Sequence, residues 1–137
     1  MEAKLKYLEF IQAIITRMNS NSFMLKGWCI TLVSALFALA AKDTNPLYVL
    51  VAYIPLPSFW LLDGFYLSQE RQYRDLYKVA TQCEPSRVDF SLDATSYKRG
   101  RNTWAAAMIS PTIVLFYGIA ALTVLVVMIM VQRCTNG

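Results

Sequence analysis

Three uncharged stretches divide the chain, and the charges between them mark out its elements. Lys26 and Lys42 bracket fifteen uncharged residues, GWCITLVSALFALAA. As a helix rising ~1.5 Å per residue these cover roughly 22 Å, short of a ~30 Å hydrocarbon core. Phe23, Met24 and Leu25 lengthen the run once the Lys26 amine snorkels to the headgroups on its aliphatic stem, which places a first span at residues 23–41. The second run, residues 44–62, is nineteen residues long and predicts a span that, with its polar exit, occupies residues 45–69. Pro55 and Pro57 each remove a backbone donor inside it, so a kink is expected there. The third run, residues 102–132, would make a helix of about 46 Å, more than a bilayer needs. Ser110 as N-cap and Pro111 at the first helical position divide it and leave a third span at residues 111–132.

The polar parts carry patterns of their own. Residues 1–22 form an amphipathic segment: Tyr7, Leu8, Ile11, Ile14, Ile15 and Met18 make one stripe at helical period, opposite Lys6, Glu9, Ala13 and Thr16. Such a helix either lies on the inner leaflet or docks against the helix that continues from span two. Asn19-Ser20-Asn21-Ser22 predicts a turn between this helix and span one. Residues 70–101 form the cytoplasmic segment. Span two runs on into it to about Thr81, with Glu70–Arg74 and Arg71–Asp75 spaced as i, i+4 ion pairs and Tyr66, Tyr73 and Tyr77 on one face. That tyrosine face is either packing surface or one wall of a ligand cage. Val88, Phe90 and Leu92 then alternate with Asp89, Ser91 and Asp93, a strand-like period of two. A single strand is not stable alone, so this stretch is an extended loop packed on the helices or a strand that pairs with a neighbour. The three tyrosines and Val88, Phe90 and Leu92 are the candidate surface for a cytoplasmic partner. Residues 97–109, with Lys98, Arg99, Arg101 and Trp104, suit a short interfacial helix on an anionic leaflet.

Composition agrees with a membrane chain. Of 137 residues 56% are hydrophobic and 16% charged, against about 25% charged in soluble domains. The net charge of +4 would also suit a nucleic-acid binder, so the position of the cations decides. Eleven Lys and Arg lie in the N-terminal and middle segments, against Lys42 and Arg133 elsewhere, which predicts an N-terminus in the cytoplasm and a C-terminus outside. Trp28, Trp60 and Trp104 fall near the same inner interface. Topology therefore accounts for the basic excess, and no nucleic-acid partner is implied. Acidic residues before the first run, and a second span directly after it, argue against a cleavable signal peptide.

Candidate chemistry is sparse. Histidine is absent and the three cysteines have no metal spacing, so no metal, cofactor or catalytic constellation is expected and the chain reads as a non-enzyme. Asp63 is the one acid inside a span, about 26 Å along the helix from Pro46 and hence near the inner boundary. Lys26 enters span one at the same depth, making Lys26 and Asp63 the candidate ion pair; a headgroup-solvated charge and an ion-path residue are the other readings. Thr31, Ser34, Ala38 and Ala41 form a small-residue face on span one that permits close helix contact within or between chains. Span three is too apolar to resemble a hydrated pore wall.

Taken together, RMNSNS, KGW, SALFALAA, WLLDGFYLSQER, DFS and FYG resemble small bacterial membrane proteins whose layout is similar to the SLATT class of effectors, over roughly residues 1–80. The resemblance implies an all-helical homo-oligomer in the bacterial inner membrane, contacting membrane lipids. It further implies a pore that forms when a cytoplasmic sensor protein is engaged, in antiphage defence. That class usually has two spans, and residues 111–132 here add a third. The alternative is a non-conducting anchor that recruits a soluble partner through residues 70–101.

Overall fold

The computed structural model describes residues 2–43 and 46–137. Met1 and Asn45, the first residues of the expected N-terminal segment and second span, lie outside the described residues. Among the described residues there are five α-helices: α1 Glu2–Asp43, α2 Pro46–Val51, α3 Pro55–Gln82, α4 Trp104–Met108 and α5 Pro111–Asn136. Residues 2–42, 47–82 and 111–134 are three stretches long and apolar enough to cross a membrane.

The expected turn at residues 19–22 does not form, and the N-terminal segment and span one are a single helix of 42 residues. Its length is about 63 Å, twice a ~30 Å core. Asn and Ser cost a helix up to ~0.7 kcal/mol each relative to Ala. Here that local preference is overruled, because α1 packs along α3 on both sides of the sequence NSNS. Tyr7, Ile11 and Ile15 are buried before it, and Cys29, Val33 and Ala40 after it.

Two hydrophobic cores result. The apolar one joins Cys29, Val33 and Ala40 of α1 to Val49 and Leu56, and to Ile113, Tyr117 and Val124 of α5. The second, at the polar end, joins Tyr7, Ile11 and Ile15 to Leu76, Ala80 and Ala94. Of the two placements open to the amphipathic segment, the chain adopts docking on the continuation of span two. The outside of the spans is apolar as well: Leu115 and Leu122 of α5 are 65% and 60% exposed, a surface that only lipid or another apolar face can cover.

The kink expected at the prolines is a break. α2 ends at Val51, and residues 52–54 close tight turns, with the amides of Ala52, Tyr53 and Ile54 donating to the carbonyls of Val49, Leu50 and Val51, each at 3.1 Å. Pro55 then opens α3, where a missing N–H leaves no helical bond unmade. Ser110 and Pro111 start α5 as their order implies, although the Ser110 hydroxyl makes no cap bond and lies 3.2 Å from the Thr112 hydroxyl. The helix continues past residue 132 to Asn136.

No strand forms among the described residues. The alternation over residues 88–93 has a different cause: the Ser91 amide donates to Asp89 Oδ1 (3.1 Å), the Asp93 amide to Ser91 Oγ (3.2 Å) and the Thr95 amide to Asp93 Oδ1 (3.0 Å). Every second residue folds its side chain onto the backbone two residues on, which satisfies the main chain locally without a ladder. The expected helix over residues 97–109 is also shorter. Tight turns at Thr95–Tyr97 and Gly100–Asn102 precede α4, whose N-cap Thr103 accepts from the Ala106 amide.

Candidate functional site at the junction of the two cores

Ser22 and Lys26 stand one turn apart on α1 and face Asp63 on α3. The Lys26 ammonium lies 2.5 Å from Asp63 Oδ2 and 3.0 Å from Ser22 Oγ. Ser22 donates its hydroxyl proton to Asp63 Oδ1. Both carboxylate oxygens are thus occupied, and Asp63 is completely buried. The Lys26 side chain retains 24% exposure and sits 5.8 Å from the centre of the Phe116 ring, so the cation has a third attractive partner on α5. Headgroup solvation of Asp63 is incompatible with this burial. The sequence pointed to Lys26 and Asp63; Ser22, read there as part of a turn, is the residue it missed, and its i, i+4 spacing from Lys26 was the available signal.

Tyr117 of α5 is 6% exposed, and its hydroxyl has no hydrogen-bond partner among the described residues. It is the one such buried polar side-chain atom among the described residues, and it lies beside the Asp63 carboxylate.

Beside the pair, at residues 60–64, α4 is clamped to α3. Trp60 Nε1 donates to the Met108 carbonyl at 3.0 Å and Trp104 Nε1 to the Leu61 carbonyl at 2.9 Å. A Cβ at Gly64 would stand 2.4 Å from Met108 Cγ and 3.3 Å from its Cα, so glycine is what allows the helices to come this close. Further along α3, Ser68 Oγ donates to the Asn102 carbonyl (2.6 Å) and Gln72 Nε2 to Ser68 Oγ (3.1 Å), while Asn102 Nδ2 donates to Asp75 Oδ2 and the Tyr97 carbonyl. This buried network holds residues 95–104 on α3. It also takes Asp75 away from the expected pair with Arg71, whose Nη1 donates to the Arg101 carbonyl at 2.7 Å. The Glu70–Arg74 pair does form, at 2.8 Å.

The candidate partner surface divides. Tyr73, Tyr77 and Val88 pack into the polar-end core, whereas Tyr66 meets Phe65 edge-on at 5.8 Å. Phe90, at φ 57°, and Leu92 are exposed. The Phe90 ring meets Tyr7 at 5.5 Å, and the Tyr7 hydroxyl donates to the Ser91 carbonyl. Burial, then the Asp89 carboxylate and Tyr97, push the Tyr7 phenol above its ordinary value. A cleft of about 370 Å³ opens beside it, lined by Leu76, Cys83, Arg87, Asp89 and Tyr97 among others.

Thr31, Ser34, Ala38 and Ala41 all point outward, and the face that α1 buries within the chain carries Cys29, Val33 and Ala40 instead. Among the described residues no three side chains are grouped to hold a metal ion, and the three cysteines are free thiols. Comparison with known proteins finds no matching family model, curated protein or solved structure.

Proposed function

We propose that the protein is an oligomeric inner-membrane effector in which engagement of a cytoplasmic layer rearranges the spans and opens or perturbs the membrane, in bacterial antiphage defence. The observation that carries this reading is the continuity of α1 and α3. Each runs unbroken from the polar-end core past the Lys26–Asp63 pair into the apolar core. A partner that shifts α1 against α3 at the polar end therefore acts on the spans through continuous helix, and the Lys26–Asp63 pair is the polar contact that such a shift must break. The N-terminus and the loop after α3 meet at one end, through Lys4 Nζ and the Cys83 carbonyl at 2.6 Å. That proximity, with the eleven-to-two distribution of cations, favours placing this layer in the cytoplasm and the C-terminus outside.

Three spans enclose no pathway, so a pore requires several copies. The outward small-residue face of α1 favours such association, because close backbone approach is what drives helices together in lipid. Membrane-potential dye readings in cells expressing the protein, with particle size in nanodiscs, test the proposal. Depolarisation together with an oligomer supports it, and a monomer removes it.

A non-conducting anchor is the second reading, and it is favoured by the full occupancy of Asp63 and the apolar surface of α5, neither of which suits a water-filled path. An unchanged membrane potential with a soluble partner retained on residues 70–101 supports that alternative.

A further inference from the structure

A second cleft, about 530 Å³, lies between α3 and the turn before α4, and it is rich in arginine. Arg71 and Arg74 enter from α3 and Arg99 and Arg101 from the turn, against two carboxylates, Glu70 and Asp75. Each carboxylate is engaged at one oxygen, and Glu70 also attracts the Arg71 charge. Glu70 is 7% exposed and accepts from Arg74 Nε (3.1 Å) and Nη2 (2.8 Å), and Asp75 accepts from Asn102. Arg99 and Arg101 have no carboxylate partner among the described residues.

The backbone brings these residues to the cleft. Gly100, at φ 60°, turns the chain between Arg99 and Arg101, and the Arg71 guanidinium is tied to the Arg101 carbonyl at 2.7 Å. Burial, then the neighbouring Arg101 charge, lower the proton affinity of Arg71, and the Glu70 carboxylate offsets part of this. Arg71 is half-buried and Arg99 and Arg101 are exposed, and a cleft with four guanidiniums against two carboxylates gains most from a compact ligand with several acceptor oxygens and more than one negative charge. Arg71 lies about 12 Å along α3 from Asp63, the depth at which a lipid phosphate or a dissolved one could enter.

We propose that this cleft binds a phosphomonoester dianion, through the guanidiniums of Arg71, Arg99 and Arg101. The inference is independent of pore formation.

The full chain in phosphatidylcholine nanodiscs tests it with three probes. Phosphatidic acid carries the phosphomonoester in a lipid, glycerol 3-phosphate carries it in solution, and phosphatidylserine supplies lipid charge without it. Native mass spectrometry counts retained lipid, and calorimetry reads the soluble probe. Retention of phosphatidic acid over phosphatidylserine supports a lipid ligand, and saturable glycerol 3-phosphate binding supports a free one. In either case Arg99→Gln weakens binding by roughly tenfold, about one charge-assisted hydrogen bond, and Arg71→Lys weakens it while keeping the charge. Arg99 makes no side-chain bond that the fold needs, so its loss does not confound binding with unfolding. Lys98→Gln removes the same charge outside the cleft and leaves binding unchanged. Binding to none of the probes, equal retention of the two lipids without glycerol 3-phosphate binding, or equal losses in Arg99→Gln and Lys98→Gln would overturn the proposal.

Discussion

Trp60 and Trp104 each donate an indole N–H to a backbone carbonyl on the other's helix, Met108 and Leu61 respectively. The Met108 carbonyl belongs to the last turn of α4, where no helical amide remains to satisfy it, so Trp60 closes the end of a five-residue helix that would not persist alone. The Trp104 ring in turn meets Phe65 edge-on at 5.6 Å. Two aromatic residues expected simply to sit in the membrane interface therefore also fix α4 against α3.

Gly64 is the space between them. Gly64→Ala gains helix propensity but drives a methyl into Met108, including its backbone, and a net destabilisation of about 1–2 kcal/mol is expected. Thermal unfolding in detergent measures it. Adding Met108→Ala removes the Cγ clash, so the double variant should be more stable than the sum of the single losses; strict additivity would contradict the packing described.

The Lys26–Asp63 pair is asymmetric, and its variants should be too. Lys26→Met leaves a fully buried carboxylate without its cation, a loss of about 3–5 kcal/mol. Asp63→Asn leaves an ammonium that still reaches solvent and should cost less. A double-mutant cycle with charge-swapped residues should recover part of either loss, and the absence of coupling would contradict a shared buried contact.

Ala38 and Leu36 separate association from folding. Ala38 points outward and Leu36 packs on the apolar core. Leu36→Phe should lower thermal stability by about 1–3 kcal/mol through overpacking. Ala38→Phe should leave stability intact and reduce particle mass in nanodiscs. An unchanged mass would show that this face does not join copies.

Tyr7 links the loop to α1 in a pH-dependent way. Its phenol is raised above the ordinary value, so the folded state keeps this proton longer than the unfolded chain does. The stabilisation is complete below about pH 10 and is lost as the pH rises through the raised value. Hydrogen exchange across residues 88–93 should accelerate in that alkaline window. Tyr7→Phe should cost about 1 kcal/mol at neutral pH and abolish the alkaline change. Asp93 acts in the opposite direction: the Thr95 amide and hydroxyl hold its carboxyl below the ordinary range, so its contribution is present above about pH 4 and fades in acid.

Orientation has a direct check. On the proposed topology a reporter after Gly137 is outside and one inserted near Ser86 is cytoplasmic. Both on one side would exclude three crossings.

What the sequence by itself determined is whatever depends on a residue's own needs. Uncharged runs long enough for a bilayer mark α5 and the apolar halves of α1 and of the α2–α3 stretch, and Pro111 starts α5 because a residue without an N–H is best placed where no helical bond is due. Lys26 and Asp63 could be matched because two charges at one depth in an apolar run have few other partners. The tertiary structure decided the choices in which local patterns are degenerate. NSNS remains helical because α3 covers both flanks, a gain that no window of four residues contains. The alternation over residues 88–93 is equally good for a strand and for a chain of side-chain turns, and without a neighbouring strand the Asp and Ser oxygens satisfy the backbone instead. α1 offers two packable faces, and the one with Cys29, Val33 and Ala40 meets α2, α3 and α5, leaving Thr31, Ser34, Ala38 and Ala41 outside. Burial is a property of which surfaces meet, and those surfaces are far apart in the chain.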